Sequence, residues 1–140
     1  MTGLWIVAGV LVVGVIAGMV LRAGNGRIRA TGRERGLPES VVSALDPQSA
    51  VTLVQISTTF CAPCRQTRAL LSSLAEKTEG LRHVDLDVTD RPEVAQALGV
   101  LRTPTTLAFT PSGEELLRIS GVPSGPAVLD ALAGPLSRVS

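Results

Sequence analysis

Aromatic residues are almost missing from this chain of 140 residues, which has one Trp, two Phe and no Tyr. A buried core therefore has to be built from aliphatic side chains. An excess of charge is missing as well, because 13 basic and 12 acidic residues leave a net charge of +1. The totals thus give no indication of a nucleic acid partner. With only two cysteines, the chain does not resemble a small secreted fold held by several disulfides.

One long segment lacks charge altogether. Residues 4–21, LWIVAGVLVVGVIAGMVL, are 18 residues without a charged side chain, whereas a membrane helix needs about 20. We expect a single transmembrane helix here, preceded by a short tail over 1–3. A cleaved signal peptide is the alternative, but no Lys or Arg precedes the apolar run. Gly14 and Gly18 have the spacing that lets two membrane helices pack as a homodimer.

Arginines follow the apolar segment at once. Glu34 is the acidic residue among them, and the basic residues are Arg22, Arg27, Arg29, Arg33 and Arg35. Because basic residues beside a membrane helix are retained on the cytoplasmic side, we expect a single-pass protein of the cell membrane with its larger part in the cytoplasm. An extracytoplasmic orientation is the alternative. Residues 22–37, rich in Gly and Arg, are interpreted as a linker with a short extended piece around Ile28.

Residues 38–140 alternate between strand and helix patterns. Strands are predicted over 51–57, 83–88, 105–110 and 114–120. Helices are predicted to begin near Pro38, after Cys61, at Pro92, and at Pro123 or Pro126. Helices between strands give a parallel pair, and the tight turn at 111–113 adds an antiparallel strand. The pattern predicts one α/β domain with a mixed central sheet and flanking helices.

The two cysteines occur as Cys61-Ala62-Pro63-Cys64, between a buried strand and a helix in the predicted order. A thiolate attacks disulfides, and a free cysteine ionises only near pH 8.5. The unpaired N–H groups at the start of a helix stabilise the thiolate. The spacing lets Cys64 resolve a mixed disulfide formed on Cys61. We therefore predict Cys61 as the attacking thiol and Cys64 as the resolving, more buried one.

Two other interpretations of the cysteine pair stay open: half of a zinc site, or a structural pair without reactivity. Structural zinc takes four Cys or His ligands, and the chain adds only His83 to the two cysteines. His83 begins a strand pattern in which apolar and polar residues alternate, and it is interpreted as an ordinary strand residue. We expect no metal and no cofactor.

Residues 38–136 resemble a thioredoxin domain, here of a membrane-anchored bacterial type. The motifs that carry the resemblance are STTFCAPCRQ, HVDLDV, a short helix ending in LGV, and LRTPTTLAFTPSGE. The resemblance implies a thioredoxin-like fold after the transmembrane helix. It implies a cis peptide bond before Pro104, backbone groups of Thr103 for an extended substrate strand, and room for the bound peptide at Gly121. The remaining predicted substrate-binding residues are Phe60, Ala62 and Pro63.

The sequence departs from the family pattern at three places around the cysteines. Phe60 replaces the usual Trp and Ala62 the usual Gly, while Gln55 replaces a buried carboxylate. That carboxylate helps to take the proton from the resolving thiol, which a glutamine cannot do. Asp85, on the neighbouring predicted strand, is a candidate for this proton relay, and a solvated charge at a strand end is the alternative.

The resemblance implies a thiol–disulfide oxidoreductase, and the apolar segment 4–21 predicts that it is tethered to the membrane. We expect a reductase of protein disulfides, which receives electrons from a thioredoxin reductase or a low-molecular-weight thiol. One alternative is a domain outside the membrane, similar to tethered proteins that reduce exported thiols or apocytochromes. The other is a module that handles copper or zinc, or senses redox state, without turnover.

Overall fold

The computed structural model describes residues 1–33 and 36–138, so Glu34 and Arg35 of the predicted linker and the last two residues of the predicted domain lie outside it. Helix α1, Thr2–Ala23, has no buried residue, and its apolar window has a mean hydropathy of 2.7. Its 22 residues extend over about 33 Å. By length and composition α1 can cross a membrane, and a signal sequence near the N-terminus has the same features.

The rest of the described chain forms a five-stranded mixed sheet with helices on both faces. After α1 the elements are β1 Arg27–Arg33, α2 Glu39–Val42, β2 Val51–Ser57, α3 Ala62–Lys77, β3 Leu81–Asp87, α4 Pro92–Leu98, β4 Thr105–Phe109, β5 Glu115–Ser120 and α5 Gly125–Ser137. The strand order is β1-β5-β4-β2-β3. β2 and β3 are parallel, and the other pairs are antiparallel. This confirms the predicted α/β fold with a thioredoxin-like mixed sheet.

Strand β1 lies inside the segment interpreted as a linker, at the place where a short extended piece was expected around Ile28, and it extends over Arg27–Arg33 as part of the sheet. The strand pairs antiparallel with β5, with Ile28 opposite Ile119. Ile28 packs against the core, whereas Arg27 and Arg29 are exposed. As an edge strand with arginines on its solvent face, β1 has little of the apolar pattern that indicates a strand.

Two hydrophobic cores lie on opposite faces of the sheet, and apart from Phe109 their large side chains are aliphatic. One lies under α3 and α5 and includes Leu53, Leu71 and Leu132. The other lies under α2 and α4 and includes Ile56 and Phe109. Every residue of β2 is buried, because this central strand contributes side chains to both cores. The chain therefore leaves the sheet from a fixed position at the end of β2, just before the two cysteines.

Candidate active site

The two cysteines form a disulfide at the N-terminus of α3. Cys61 is the N-cap residue, and the backbone N–H of Cys64 donates a hydrogen bond to the Cys61 Sγ over 3.2 Å. Pro63 stands in the first turn, where a missing N–H costs nothing. Cys64 is 1% exposed, whereas Cys61 is partly exposed. An incoming sulfur atom therefore reaches Cys61 first.

The loop from β2 to Cys61 is held by the end of β3. The Thr59 N–H donates to the Thr89 Oγ1 at 2.9 Å, and the Thr59 hydroxyl lies 3.2 Å from a carboxylate oxygen of Asp87. The hydroxyl and N–H of Thr89 also donate to Asp87, and these bonds lower the pKa of Asp87 because they favour its charged form. The loop ends at Phe60, which is 98% exposed beside the disulfide.

The loop before β4 approaches the same sulfur from the other side. The Thr103–Pro104 peptide bond is cis, as the resemblance implied. The Thr103 hydroxyl donates to the Cys61 Sγ over 3.7 Å. Thr103 was predicted for its backbone groups alone, and its side-chain contact had no signal in the sequence because the two residues are 42 positions apart. The sulfur of Cys61 thus accepts from two donors.

Beneath Cys64 runs a chain of hydrogen bonds without a charged group. Gln55, fully buried, donates through Nε2 to the Cys64 carbonyl oxygen over 2.8 Å. The Gln55 Oε1 lies 3.0 Å from the His83 Nε2, and the His83 Nδ1 lies 3.1 Å from the Ser72 hydroxyl. Because Oε1 can only accept, this arrangement assigns the proton to Nε2 and leaves Nδ1 to accept from Ser72.

Burial is the largest cause that lowers the pKa of His83 below its ordinary value. The charge of Arg68 acts in the same direction, and the charge of Asp85 opposes both. A neutral imidazole agrees with the pairing to Gln55 and Ser72. The strand pattern had indicated an ordinary role for His83, because a contact that joins a helix and two strands leaves no local signal.

Asp85, the second predicted relay residue, is engaged elsewhere. Its carboxylate forms an ion pair with Arg68 and accepts a hydrogen bond from the Ser57 hydroxyl over 2.5 Å. Within residues 1–33 and 36–138 it has no hydrogen bond to either cysteine. Of the two predicted relay residues, Gln55 alone contacts the cysteine pair, and it does so at the Cys64 backbone.

Gly121 lies beside the loop that contains the cis Thr103–Pro104 bond, which we call the cis-proline loop. The Gly121 N–H donates to the Pro104 carbonyl over 2.8 Å. A side chain at Gly121 would project into the carboxamide of Asn25. The Asn25 Oδ1 is fixed there by the Val122 N–H at 3.0 Å. The room that the resemblance implied for a substrate at Gly121 is therefore filled by a residue just after α1.

No group of three or more His, Cys, Asp or Glu side chains in the described part of the chain is placed to hold a metal ion. Both ring nitrogens of His83 already have protein partners, Gln55 and Ser72. His83, considered from the sequence as a third zinc ligand, is thus engaged in the hydrogen-bond chain beneath Cys64.

Comparisons with known proteins agree on one family. Residues 38–133 match the family model described as Thioredoxin. A thioredoxin of Staphylococcus saprophyticus is 33% identical over 75 residues, which are 53% of this chain and 71% of that protein. Thioredoxin H2 of Arabidopsis thaliana is 33% identical over 69 residues, 49% of this chain and about half (51%) of that protein.

A solved structure shows the same fold. A mutant thioredoxin from Halobacterium salinarum superimposes with a TM-score of 0.62 at 23% identity. The superposition covers 71% of this chain and 87% of that chain.

The neutral His83 predicts how stability depends on pH in the oxidised protein. The unfolded chain takes up this proton near pH 6.5, and the folded chain only at a lower pH, so the free energy of unfolding should fall as the pH drops below about 6.5. His83→Gln should remove this part of the pH dependence. His83 is the one histidine of the chain, so urea unfolding at pH 7.5 and 5.5 isolates it. If the wild type and His83→Gln lost the same free energy of unfolding between pH 7.5 and 5.5, the assignment of a neutral His83 would be contradicted.

Proposed function

The chain belongs to the thioredoxin family, and from this premise we propose that it is a membrane-tethered reductase of protein disulfides. It is a thiol–disulfide oxidoreductase, with Cys61 and Cys64 as the pair able to form a disulfide. The tether and the reducing direction are the proposal. The observation that carries the thiol–disulfide activity is the hydrogen bond from the Cys64 N–H to the Cys61 sulfur at the start of a 16-residue helix. The tether rests on the exposed apolar helix α1, and the reducing direction rests on a cytoplasmic domain, where thiols are kept reduced.

In the proposed reaction the reduced Cys61 thiolate attacks one sulfur of a substrate disulfide. The substrate S–S bond breaks, one substrate thiolate leaves, and a mixed disulfide forms on Cys61. Cys64 then loses its proton and attacks the Cys61 sulfur, which releases the second substrate thiolate and closes the Cys61–Cys64 bond. The substrate gains two electrons and the dithiol loses two. Return of the pair to the dithiol takes two electrons from a thioredoxin reductase or a low-molecular-weight thiol.

The protein groups around Cys61 support the role of attacking thiol. The Cys64 N–H and the Thr103 hydroxyl donate to its sulfur, and both favour the thiolate. The amide of Gln55 has no basic group, so it positions the Cys64 backbone and does not take the thiol proton. In this proposal the proton of Cys64 goes to the departing substrate thiolate or to water.

The substrate surface that we propose lies on one side of Thr103. Phe60 and Leu101 are almost fully exposed, at 98% and 99%, and offer apolar contacts. A groove of about 400 Å³ includes Thr103, Leu101 and Val88 in its lining. Because Asn25 covers the side of Gly121, an extended segment of substrate has its open path along this groove.

Helix α1 is the proposed membrane anchor, since it is long and apolar and none of its residues is buried by the domain. Arg22, Arg27 and Arg29 follow the apolar run, which supports a cytoplasmic domain. In that compartment thiols are kept reduced, which favours the reducing direction.

Trapping tests the assignment of the two thiols. Cys64→Ser should accumulate a mixed disulfide with a substrate such as insulin, because nothing resolves the bond on Cys61. The matched variant Cys61→Ser should form much less adduct, since Cys64 is 1% exposed. Non-reducing electrophoresis and mass spectrometry of the cross-linked peptide measure both. Equal adduct in the two variants would refute Cys61 as the attacking residue.

Labelling in intact cells tests the tether and its orientation. In Cys64→Ser, Cys61 should resist a membrane-impermeant maleimide until the membrane is permeabilised. A cysteine introduced by Thr2→Cys in a Cys61→Ser/Cys64→Ser background should react in intact cells, because it lies at the other end of α1. The reverse labelling pattern would assign the domain to the outside, and loss of the chain from the membrane fraction would rule out the anchor.

A further inference from the structure

Four arginines surround one cavity where α1 meets the domain. The cavity has a volume of about 440 Å³ and lies between the end of α1, strand β1, the loop after α4 and strand β5. We call it the basic cleft, and its basic residues are Arg27, Arg29, Arg102 and Arg118. Gly24 and Ser120 also line it, and no acidic side chain from residues 1–33 and 36–138 does.

The pairing of β1 with β5 places two of these arginines next to each other. Arg29 stands directly opposite Arg118 in the β1–β5 pair, and Arg27 stands opposite Ser120. Residues opposite each other, and residues two apart on a strand, share one face of the sheet. Like charges in directly opposed positions are unfavourable unless something compensates them.

Protein groups compensate one of the four charges. The Arg118 guanidinium donates to both carboxylate oxygens of Glu115, at 3.0 and 3.2 Å, and to the Gly99 carbonyl at 3.2 Å. Arg102 donates to the Gly24 carbonyl at 2.9 Å. This bond fixes the position of the Arg102 side chain but does not neutralise its charge. Among the residues that the structure describes, no carboxylate forms an ion pair with Arg27, Arg29 or Arg102.

The cleft lies at the depth of lipid headgroups if α1 spans the membrane as proposed above. Gly24, in its wall, directly follows the last residue of α1. The polar region of a bilayer extends about 5–8 Å beyond the hydrocarbon core on each side. Guanidinium groups bind phosphate oxygens in pairs, and basic residues beside a membrane helix attract anionic lipids.

We propose that the basic cleft binds a phosphate ester, and that the depth of the cleft makes the headgroup of an anionic membrane lipid its first ligand. Arg102 and Leu101 belong to the loop that leads to Thr103 and Pro104. A headgroup in the cleft therefore holds the substrate-binding loop at the membrane surface.

Calorimetric titration of the oxidised full-length chain in dodecylmaltoside micelles tests this site apart from its redox activity. The probes are dihexanoylphosphatidylglycerol and glycerol 3-phosphate. The wild-type chain should bind the lipid, and Arg27→Gln/Arg29→Gln should bind it about 25-fold more weakly, at about fivefold for each charge. The control variant Arg82→Gln/Arg138→Gln removes the same amount of positive charge at positions outside the cleft. It should leave the affinity for the lipid unchanged.

If the lipid binds and glycerol 3-phosphate does not, the ligand of the cleft is a lipid headgroup. Equal binding of both probes supports a soluble phosphate ester in the same cleft. Failure of both probes to bind, or an equal loss of affinity in the two double variants, overturns the site. Insulin reduction by the same preparations reports on the proposed function separately.

Discussion

The hydrogen bond from the Cys64 backbone N–H to the Cys61 sulfur connects the fold of this chain to its chemistry. The first N–H groups of a helix have no partner within the helix, and the N-cap side chain is their nearest acceptor. Here that acceptor is a sulfur atom, held at the helix start because β2 is buried along its length and α3 packs on the sheet through Leu71. The cis-proline loop adds a second donor, the Thr103 hydroxyl. The position of the site is thus set by the end of β2 and the start of α3.

The layer beneath the cysteines is neutral where the family usually has a carboxylate. Gln55 contacts the Cys64 carbonyl, and His83 and Ser72 hold the orientation of its amide. A buried negative charge there would oppose the thiolate form of both cysteines, so its absence favours an ionised Cys61. The same change removes a proton acceptor. In the proposed reaction the chain therefore depends on donors around the Cys61 sulfur more than on a base beside it.

The sequence predicted those parts of the molecule that local patterns encode. The apolar run of β2, the alternating pattern of β3 and the cysteine spacing each have a short-range signal, and the resemblance supplied the cis bond before Pro104. Around β1 the sequence indicated only a short extended piece at Ile28. Its pairing with β5, more than 80 positions along the chain, had no local signal. The contacts of His83 and Asn25 arise from packing between distant segments, which periodicity does not report.

Ionisation of Cys61 is the most direct measurement of the central claim. Thiolate absorbance at 240 nm, followed against pH in the reduced Cys64→Ser chain, reports on this thiol alone and keeps the backbone N–H that donates to it. The account predicts half-ionisation well below the pH of about 8.5 that a free cysteine shows, and a return toward that value in concentrated urea. The same midpoint in the folded and the unfolded chain would contradict it.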